Sequence, residues 1–167
     1  MARALSELAD GTTLLLDANI FIYGFCGESR QCEQLIERCR NEELLGVTTS
    51  EVVGEVCHRL MIREALEIEM IARPAVGALK SRPEAVKSLQ KYWELTARIL
   101  RSNLLLLCSG EERHHRAQMV RGEYGLLTND SLLVAAALEY GIRSVASRDT
   151  DFDRIGELTV YRPTDIP

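Results

Sequence analysis

Short apolar runs alternate with longer helical stretches along most of this chain. The first run, residues 13–16, is apolar after its opening threonine and is followed directly by Asp17. A continuous apolar run of this length is typical of a central parallel strand that is covered on both faces. Strands that alternate with helices predict a parallel sheet between helical layers, joined by right-handed crossovers. The predicted strands are residues 13–16, 44–48, 104–108, 144–147 and 159–161.

The stretches between these runs have the character of helices. Thr48, with Glu51 three residues later, resembles a capping box that opens a helix. On that helix Glu51 and Glu55 are one turn apart and point to nearly the same side. The predicted helices in this part of the chain are residues 1–12, 28–43, 48–65, 84–100 and 111–122.

The stretch from residue 127 to residue 153 predicts a buried helix followed by a short strand. Thr128 and Asn129 are good N-cap residues, Asp130 lies at the start of the helix, and the run that follows is apolar nearly all round. Gly141 is in the usual position to end this helix. Three aspartates, at positions 149, 151 and 153, follow the strand.

Length and composition favour one intracellular domain. With 167 residues and 46% apolar residues, the chain is expected to fold as a single domain over residues 1–167. No apolar run is long enough for a membrane span, and the amino terminus lacks the apolar centre of a signal peptide, so we expect a cytoplasmic protein. The five cysteines include no CxxC pair and predict reduced thiols in helices and core. The net charge of −5 neither indicates nor excludes a nucleic-acid partner.

Four acidic residues converge on one edge of the predicted sheet. Asp17 and Asp149 follow strands, Asp130 starts the buried helix, and Glu55 lies one or two turns into the helix after the second strand. In parallel sheets, sites form outside the carboxyl ends of the strands. Like charges held close together repel one another unless a proton or a cation lies between them, and carboxylates suit Mg²⁺. No nucleophile elbow, phosphate-binding glycine loop or HExxH pair offers another chemistry.

Several charged and aromatic residues have simpler explanations. Of the last three aspartates, Asp149 is preferred as a ligand, Asp153 is second, and Asp151 is expected to be a local cap. Trp93 and Tyr92 are expected in the core or at a subunit interface. A solvated helix face is predicted for the basic residues Arg113, His114, His115, Arg116 and Arg121.

Motifs spread over nearly the whole chain resemble those of the PIN-domain family. They are LLLDANIFIY (14–23), TTSEVVGEV (48–56), residues 128–142 and SRDTDFDRI (147–155). The resemblance implies a three-layer α/β/α fold with a mostly parallel five-stranded sheet, and a metal-dependent ribonuclease. By motif position, Asp17, Glu55, Asp130 and Asp149 match the family's acidic quartet, and Asn19 and Ser147 match polar positions beside it. The family includes VapC-like toxins of toxin–antitoxin pairs, and its domains commonly pair, so an antitoxin partner and a homodimer are expected.

These observations predict an Mg²⁺- or Mn²⁺-dependent endoribonuclease in which the quartet holds the metal and is catalytic. One alternative is a haloacid-dehalogenase-like phosphatase with Asp17 as the nucleophile, although Asn19 departs from the DxDx[TV] pattern of those enzymes. A second alternative is an inactive PIN-like domain that binds RNA or a protein without cleavage.

Overall fold

The computed structural model describes residues 2–74 and 76–166, which form a parallel sheet with helices packed around it. The strands are β1 (Arg3–Ala4), β2 (Thr13–Leu16), β3 (Leu45–Thr49), β4 (Leu105–Leu107), β5 (Ser144–Ala146) and β6 (Thr159–Arg162). The helices are α1 (Ala18–Phe25), α2 (Arg30–Arg40), α3 (Ser50–Glu67), α4 (Val76–Lys80), α5 (Pro83–Ser88), α6 (Lys91–Leu100), α7 (Glu111–Tyr124) and α8 (Thr128–Tyr140). No helix in these two described ranges is both long enough and apolar enough to cross a membrane.

The sheet has the strand order β1-β6-β5-β2-β3-β4, and every pair of neighbours is parallel. Strand β2 lies between β5 and β3, and its Leu14, Leu15 and Leu16 are fully buried. A central strand covered on both faces was the prediction for residues 13–16, and it is confirmed. Because the neighbouring strands β2 and β5 run in the same direction, Asp17 and Ser147 reach the same edge of the sheet.

The five predicted strands are present within one or two residues of their expected limits, and a sixth, β1, precedes them. The prediction of a short helix over residues 1–12 is wrong. Arg3 and Ala4 extend the sheet by pairing with Tyr161 and Arg162 of β6, and only one 3₁₀ turn, Leu5–Glu7, follows. The spacing of apolar residues in so short a segment gives no information about pairing with a distant strand. Here the edge of β6 supplies hydrogen-bond partners for the backbone of residues 3 and 4.

The predicted capping box at Thr48 and Glu51 is wrong, and the N-cap of α3 lies one residue later. Thr49 is the N-cap of α3, and its hydroxyl accepts a hydrogen bond from the Val52 N–H at 3.3 Å. The Thr48 hydroxyl instead donates to the Leu16 carbonyl of β2 at 3.1 Å. Thr48 therefore ties two strands together, and the helix begins after β3 is complete.

Residues 84–100 do not form the single helix that was predicted, because the chain breaks between α5 and α6 at Leu89 and Gln90. Leu89 is buried in a small second cluster with Ala65, Ile71 and Leu79. The buried carboxylate of Glu64 accepts hydrogen bonds from the backbone N–H groups of Gln90, Lys91 and Tyr92 at 2.9, 3.1 and 2.8 Å. A side chain from α3 thus satisfies the first donors of α6 and fixes where that helix starts.

Helix α8 is buried over much of its length, as predicted, and ends at Gly141, which has a φ of +66°. The predicted N-cap is wrong: Leu127 occupies that position, and Thr128 and Asn129 lie inside the helix. All five cysteines are free thiols, but Cys108 is exposed and not part of the core.

The predicted solvated face of α7 is wrong for Arg113. Its side chain is 4% exposed, pairs with Glu139 of α8 at 2.8 Å and lies 5.6 Å from the ring centre of Tyr140. His114 and His115 are exposed, as predicted. The basic residue nearest the start of α7 therefore joins α7 to α8 instead of facing solvent.

Candidate active site

Asp17 lies at the carboxyl end of β2, where it also serves as the N-cap of α1. Its Oδ1 accepts a hydrogen bond from the Ala18 N–H at 2.6 Å, and its Oδ2 accepts one from the Ser147 hydroxyl at 2.6 Å. Ser147 follows β5 directly, so this contact joins residues that are far apart in sequence. The adjacent parallel strands β2 and β5 bring the two side chains together.

Asn19 completes a polar network around this carboxylate. Its amide nitrogen donates to Asp17 Oδ2 and, at 3.0 Å, to the Ser147 hydroxyl. Its carbonyl oxygen accepts from the Arg148 N–H at 3.0 Å. The Ser147 hydroxyl also accepts from the Asp149 N–H at 3.0 Å. Asn19 and Ser147, predicted as polar neighbours of the acids, therefore hold Asp17 in one orientation.

Of the three aspartates after β5, Asp149 has its carboxylate least engaged by positive charge. Its Oδ1 accepts the Asp151 N–H at 2.8 Å, as the N-cap of the 3₁₀ turn Thr150–Arg154. Asp151 pairs with Arg154, and Asp153 pairs with Arg162 at 2.9 Å. This pattern supports the preference for Asp149 as a ligand, which stays a prediction.

Glu55 and Asp130 approach the same edge from two helices. Asn129 of α8 donates a hydrogen bond from its amide nitrogen to Glu55 Oε2 of α3 at 2.9 Å, and Arg59 lies 3.4 Å from Glu55 Oε1. Glu51, one turn before Glu55 on the same helix, instead accepts a hydrogen bond from the Ser50 hydroxyl at 3.3 Å. Asn129, the residue before Asp130, thus links α8 to Glu55 of α3.

The carboxylates influence one another electrostatically. Burial raises the pKa of Asp17 to about 6, and the hydrogen bonds from Ser147 and Ala18 offset part of that effect, while the charges of Glu55 and Asp149 add to it. Burial, followed by the charges of Asp17, Asp149 and Glu55, raises the pKa of Asp130 to about 7. The charges of Glu55 and Asp149 therefore reach both Asp17 and Asp130, and without a cation these two aspartates favour their protonated forms.

The carboxylates suit a hard divalent cation that keeps part of its water shell, and they do not enclose the ion completely. Within residues 2–74 and 76–166, no three Asp, Glu, His or Cys side chains form a ready-made metal cage. Mg²⁺ usually keeps several of its waters and needs only one or two direct carboxylates, so spaced carboxylates at an open edge suit it. The mutual repulsion of the four acids is the feature that a cation would relieve.

Three contacts of this region were not predicted from the sequence. The Asn129–Glu55 hydrogen bond was missed because Asn129 was assigned to the N-cap, a role with the same sequence signal. The pairing of Arg154 and Arg162 with aspartates was also missed, although the three-residue spacing of Asp151 and Arg154 within one turn could have indicated the first pair.

The fold and the position of these acids define a class of protein: a parallel α/β domain with acidic side chains near the carboxyl ends of its strands. The PIN domain family model matches residues 14–158, and the chain belongs to that family. The resemblance drawn from the motifs and the α/β/α fold class are therefore confirmed. The phosphatase alternative lacks support, because the match includes the Asp17 motif on which it depended.

Relatives of known structure and name agree with this assignment. The chain is similar to Ribonuclease VapC2 from Methanocaldococcus jannaschii, with 26% identity over 147 residues, which is 88% of this chain and 91% of that protein. Its fold is similar to that of a chain in the structure of VapBC2 from Rickettsia felis bound to a DNA fragment from their promoter (TM-score 0.59, 15% identity, 91% of this chain and 99% of that one). It is also similar to a chain in a toxin–antitoxin complex from Klebsiella pneumoniae (TM-score 0.57, 21% identity, 88% and 96% of the chains).

The raised pKa values predict that the metal-free protein is more stable in mild acid. For Asp17 and Asp130 the pKa in the folded protein, about 6 and about 7, exceeds the ordinary value of 3.8. As the pH falls through the folded values, the native state binds protons that the unfolded chain does not yet bind, so these groups favour folding. We expect the melting temperature in EDTA to be several degrees higher at about pH 5 than at about pH 8.

The Asp130→Asn variant isolates the contribution of this site. Without metal near pH 8, this variant should have a higher melting temperature than the wild type, and its melting temperature should change less with pH. Saturating Mg²⁺ should reduce the difference in melting temperature between the two proteins. Identical melting profiles for the variant and the wild type across this pH range would contradict the electrostatic description of the pocket.

Proposed function

We propose that residues 1–167 form one endoribonuclease domain that hydrolyses RNA phosphodiester bonds with Mg²⁺ or Mn²⁺. The observation that carries this proposal is the geometry at the carboxyl edge of the sheet, where the Ser147 hydroxyl bonds both Asp17 and the Asp149 backbone, and Asn129, the neighbour of Asp130, bonds Glu55. Membership of the PIN family and similarity to a protein named as a ribonuclease support it. PIN-domain ribonucleases of the VapC kind depend on divalent metal.

The four carboxylates would hold the cation, and the residues around them would set their geometry. A bound divalent ion supplies Lewis-acid activation of a water and neutralises charge that develops on the phosphodiester. Asn19 and Ser147 orient Asp17, and Asn129 fixes Glu55 from the neighbouring helix. Asp130 and Asp149 flank this arrangement from α8 and from the turn after β5. No covalent intermediate on the protein is needed for this reaction.

Removal of one charge from the quartet should abolish most cleavage. Asp17→Asn and Asp130→Asn each keep the shape of the side chain but lose a charge that would bind the cation. We expect the cleavage rate of single-stranded RNA in Mg²⁺ to fall by roughly two orders of magnitude or more, because loss of an indirect partner of a metal already costs about 10–100-fold. Gel electrophoresis of labelled RNA measures this rate, and EDTA should stop cleavage by the wild type.

Asp10→Asn is the matched control, since Asp10 is an exposed aspartate in the loop before β2, at the other end of that strand. It should leave the cleavage rate unchanged. Full cleavage by purified Asp130→Asn would refute the proposal. Tight RNA binding by the wild type with no cleavage in Mg²⁺ or Mn²⁺ would instead favour the inactive RNA-binding domain.

We further propose that the protein is the toxin of a toxin–antitoxin pair. The similarity to Ribonuclease VapC2 supports this, as does a fold like those of chains in two toxin–antitoxin structures. Such a partner would be an antitoxin protein that suppresses cleavage of cellular RNA.

Expression in bacteria tests the toxin role. Induction of the wild type should arrest growth, induction of Asp130→Asn should not, and co-expression of the antitoxin should restore growth. Undisturbed growth with an RNA-cleaving wild type would exclude the toxin role while leaving the ribonuclease intact.

We also propose a homodimer formed through an exposed apolar surface. Trp93 and Leu100 lie two turns apart on one side of α6 and are each 52% exposed, so Trp93 is not in the core. Large apolar side chains at such exposure are typical of interfaces when they lie together.

Sedimentation velocity tests this surface. The wild type should sediment as a dimer of 18.8 kDa chains, and Trp93→Glu should shift it toward the monomer because burial of a carboxylate is costly. A wild type that sediments as a monomer at micromolar concentration would exclude this interface.

A further inference from the structure

A cavity of about 480 Å³ borders the candidate active site at Asp149. Its size is within the range of small-ligand pockets in proteins. The residues around it are Arg148, Asp149, Thr150, Arg162, Pro163 and Ile166.

The two arginines of this cavity differ in how their charge is used. Arg162 pairs with Asp153 at 2.9 Å and donates to the Asp149 carbonyl at 2.7 Å, so a carboxylate already offsets its charge. Arg148 is exposed, and no carboxylate of the described part of the chain lies within ion-pair distance of it. Arg148 therefore places an uncompensated positive charge beside a group of negative ones.

The position of Arg148 is set by the same network that holds the acids. Its backbone N–H donates to Asn19, the residue that also bonds Asp17. Its guanidinium carbon lies 5.9 Å from the ring centre of Tyr23 on α1. Contact with an aromatic face reduces the freedom of a long side chain and leaves the planar donors of arginine available to an anion.

We propose that this cavity is a phosphate subsite, in which Arg148 and the Thr150 hydroxyl bind a phosphate next to the one that is cleaved. The proposal rests on the proposed ribonuclease function and names how the site engages its substrate. A chain with a net charge of −5 repels a polyanion on average, so a local positive charge is needed to position the strand. The planar arginine fork matches the oxygens of a phosphate.

Binding of a short labelled single-stranded RNA of mixed sequence, measured by fluorescence anisotropy in EDTA, tests the subsite without cleavage. We expect Arg148→Ala to weaken binding roughly tenfold at low salt. The slope of log K against log salt should decrease in magnitude by about 0.7, the value for one phosphate contact with a single strand. Arg148→Lys should keep most of the salt slope while binding more weakly, because the charge remains and the fork is lost.

Arg143→Ala is the matched control, because Arg143 is an exposed arginine just before β5, at the opposite end of that strand. It should change neither the affinity nor the slope appreciably. Equal behaviour of the Arg148→Ala and Arg143→Ala variants would overturn the subsite, as would absence of RNA binding by the wild type.

Cleavage by the wild type in Mg²⁺ is measured separately, so failure of the subsite can be told from failure of the nuclease proposal. Cleavage with no effect of Arg148→Ala on RNA binding refutes only the subsite. RNA binding that depends on Arg148, without cleavage, refutes the nuclease and with it a subsite beside a cleaved phosphate, and leaves only a phosphate contact of an RNA-binding domain.

Discussion

The repulsion among acidic side chains at the carboxyl edge of the sheet is the constraint to which the rest of the site is fitted. Burial and neighbouring negative charge raise the pKa of both Asp17 and Asp130. A protein selected only for stability would avoid such a group, because each carboxylate makes the others harder to ionise. The fold retains them, and it orients Asp17 with donors from Asn19, Ser147 and the Ala18 backbone. Such an arrangement costs stability when it is empty and favours binding of a cation.

Sheet topology makes this arrangement possible. The chain places β5 beside β2 only after passing through β3, β4 and the eight helices α1 to α8. Only that adjacency brings Ser147 within 2.6 Å of Asp17. The helices then supply two more acids, because α3 and α8 both begin at or near the carboxyl edge; α3 carries Glu55 in its second turn, and α8 carries Asp130 in its first. The site is therefore a property of strand order as much as of the acidic residues themselves.

Features that depend on local pattern could be predicted from the sequence, and features that depend on one distant partner could not. The buried strand at residues 13–16, the buried α8 and its end at Gly141 follow from apolar runs and from the left-handed backbone that glycine allows. The break before α6 depends on Glu64, a residue of another helix, and β1 depends on the edge of β6. The acidic edge was predicted because strand direction alone brings the ends of parallel strands together.

Two residues whose side chains suit more than one role show the same difference between local pattern and distant partner. Asn129 has a side chain suited to an N-cap, yet it bonds Glu55 on a neighbouring helix, and Arg113 resembles a solvated residue, yet it is buried against Glu139. In both cases the local signal is real, and a partner far away in sequence decides the outcome.

Net charge is a poor guide to this surface, because positive and negative residues are sorted locally. Near the end of β5, Arg154 and Arg162 pair with Asp151 and Asp153, so two of the three clustered aspartates have their charge offset. Asp149 lacks such a partner, and Arg148 beside it has no carboxylate within ion-pair distance in the described part of the chain. Consecutive residues of opposite charge are thus left available at one edge, one suited to a cation and the other to an anion. A phosphodiester bound with a divalent ion presents both kinds of charge, so a negative total charge of the chain is compatible with an RNA substrate at this edge.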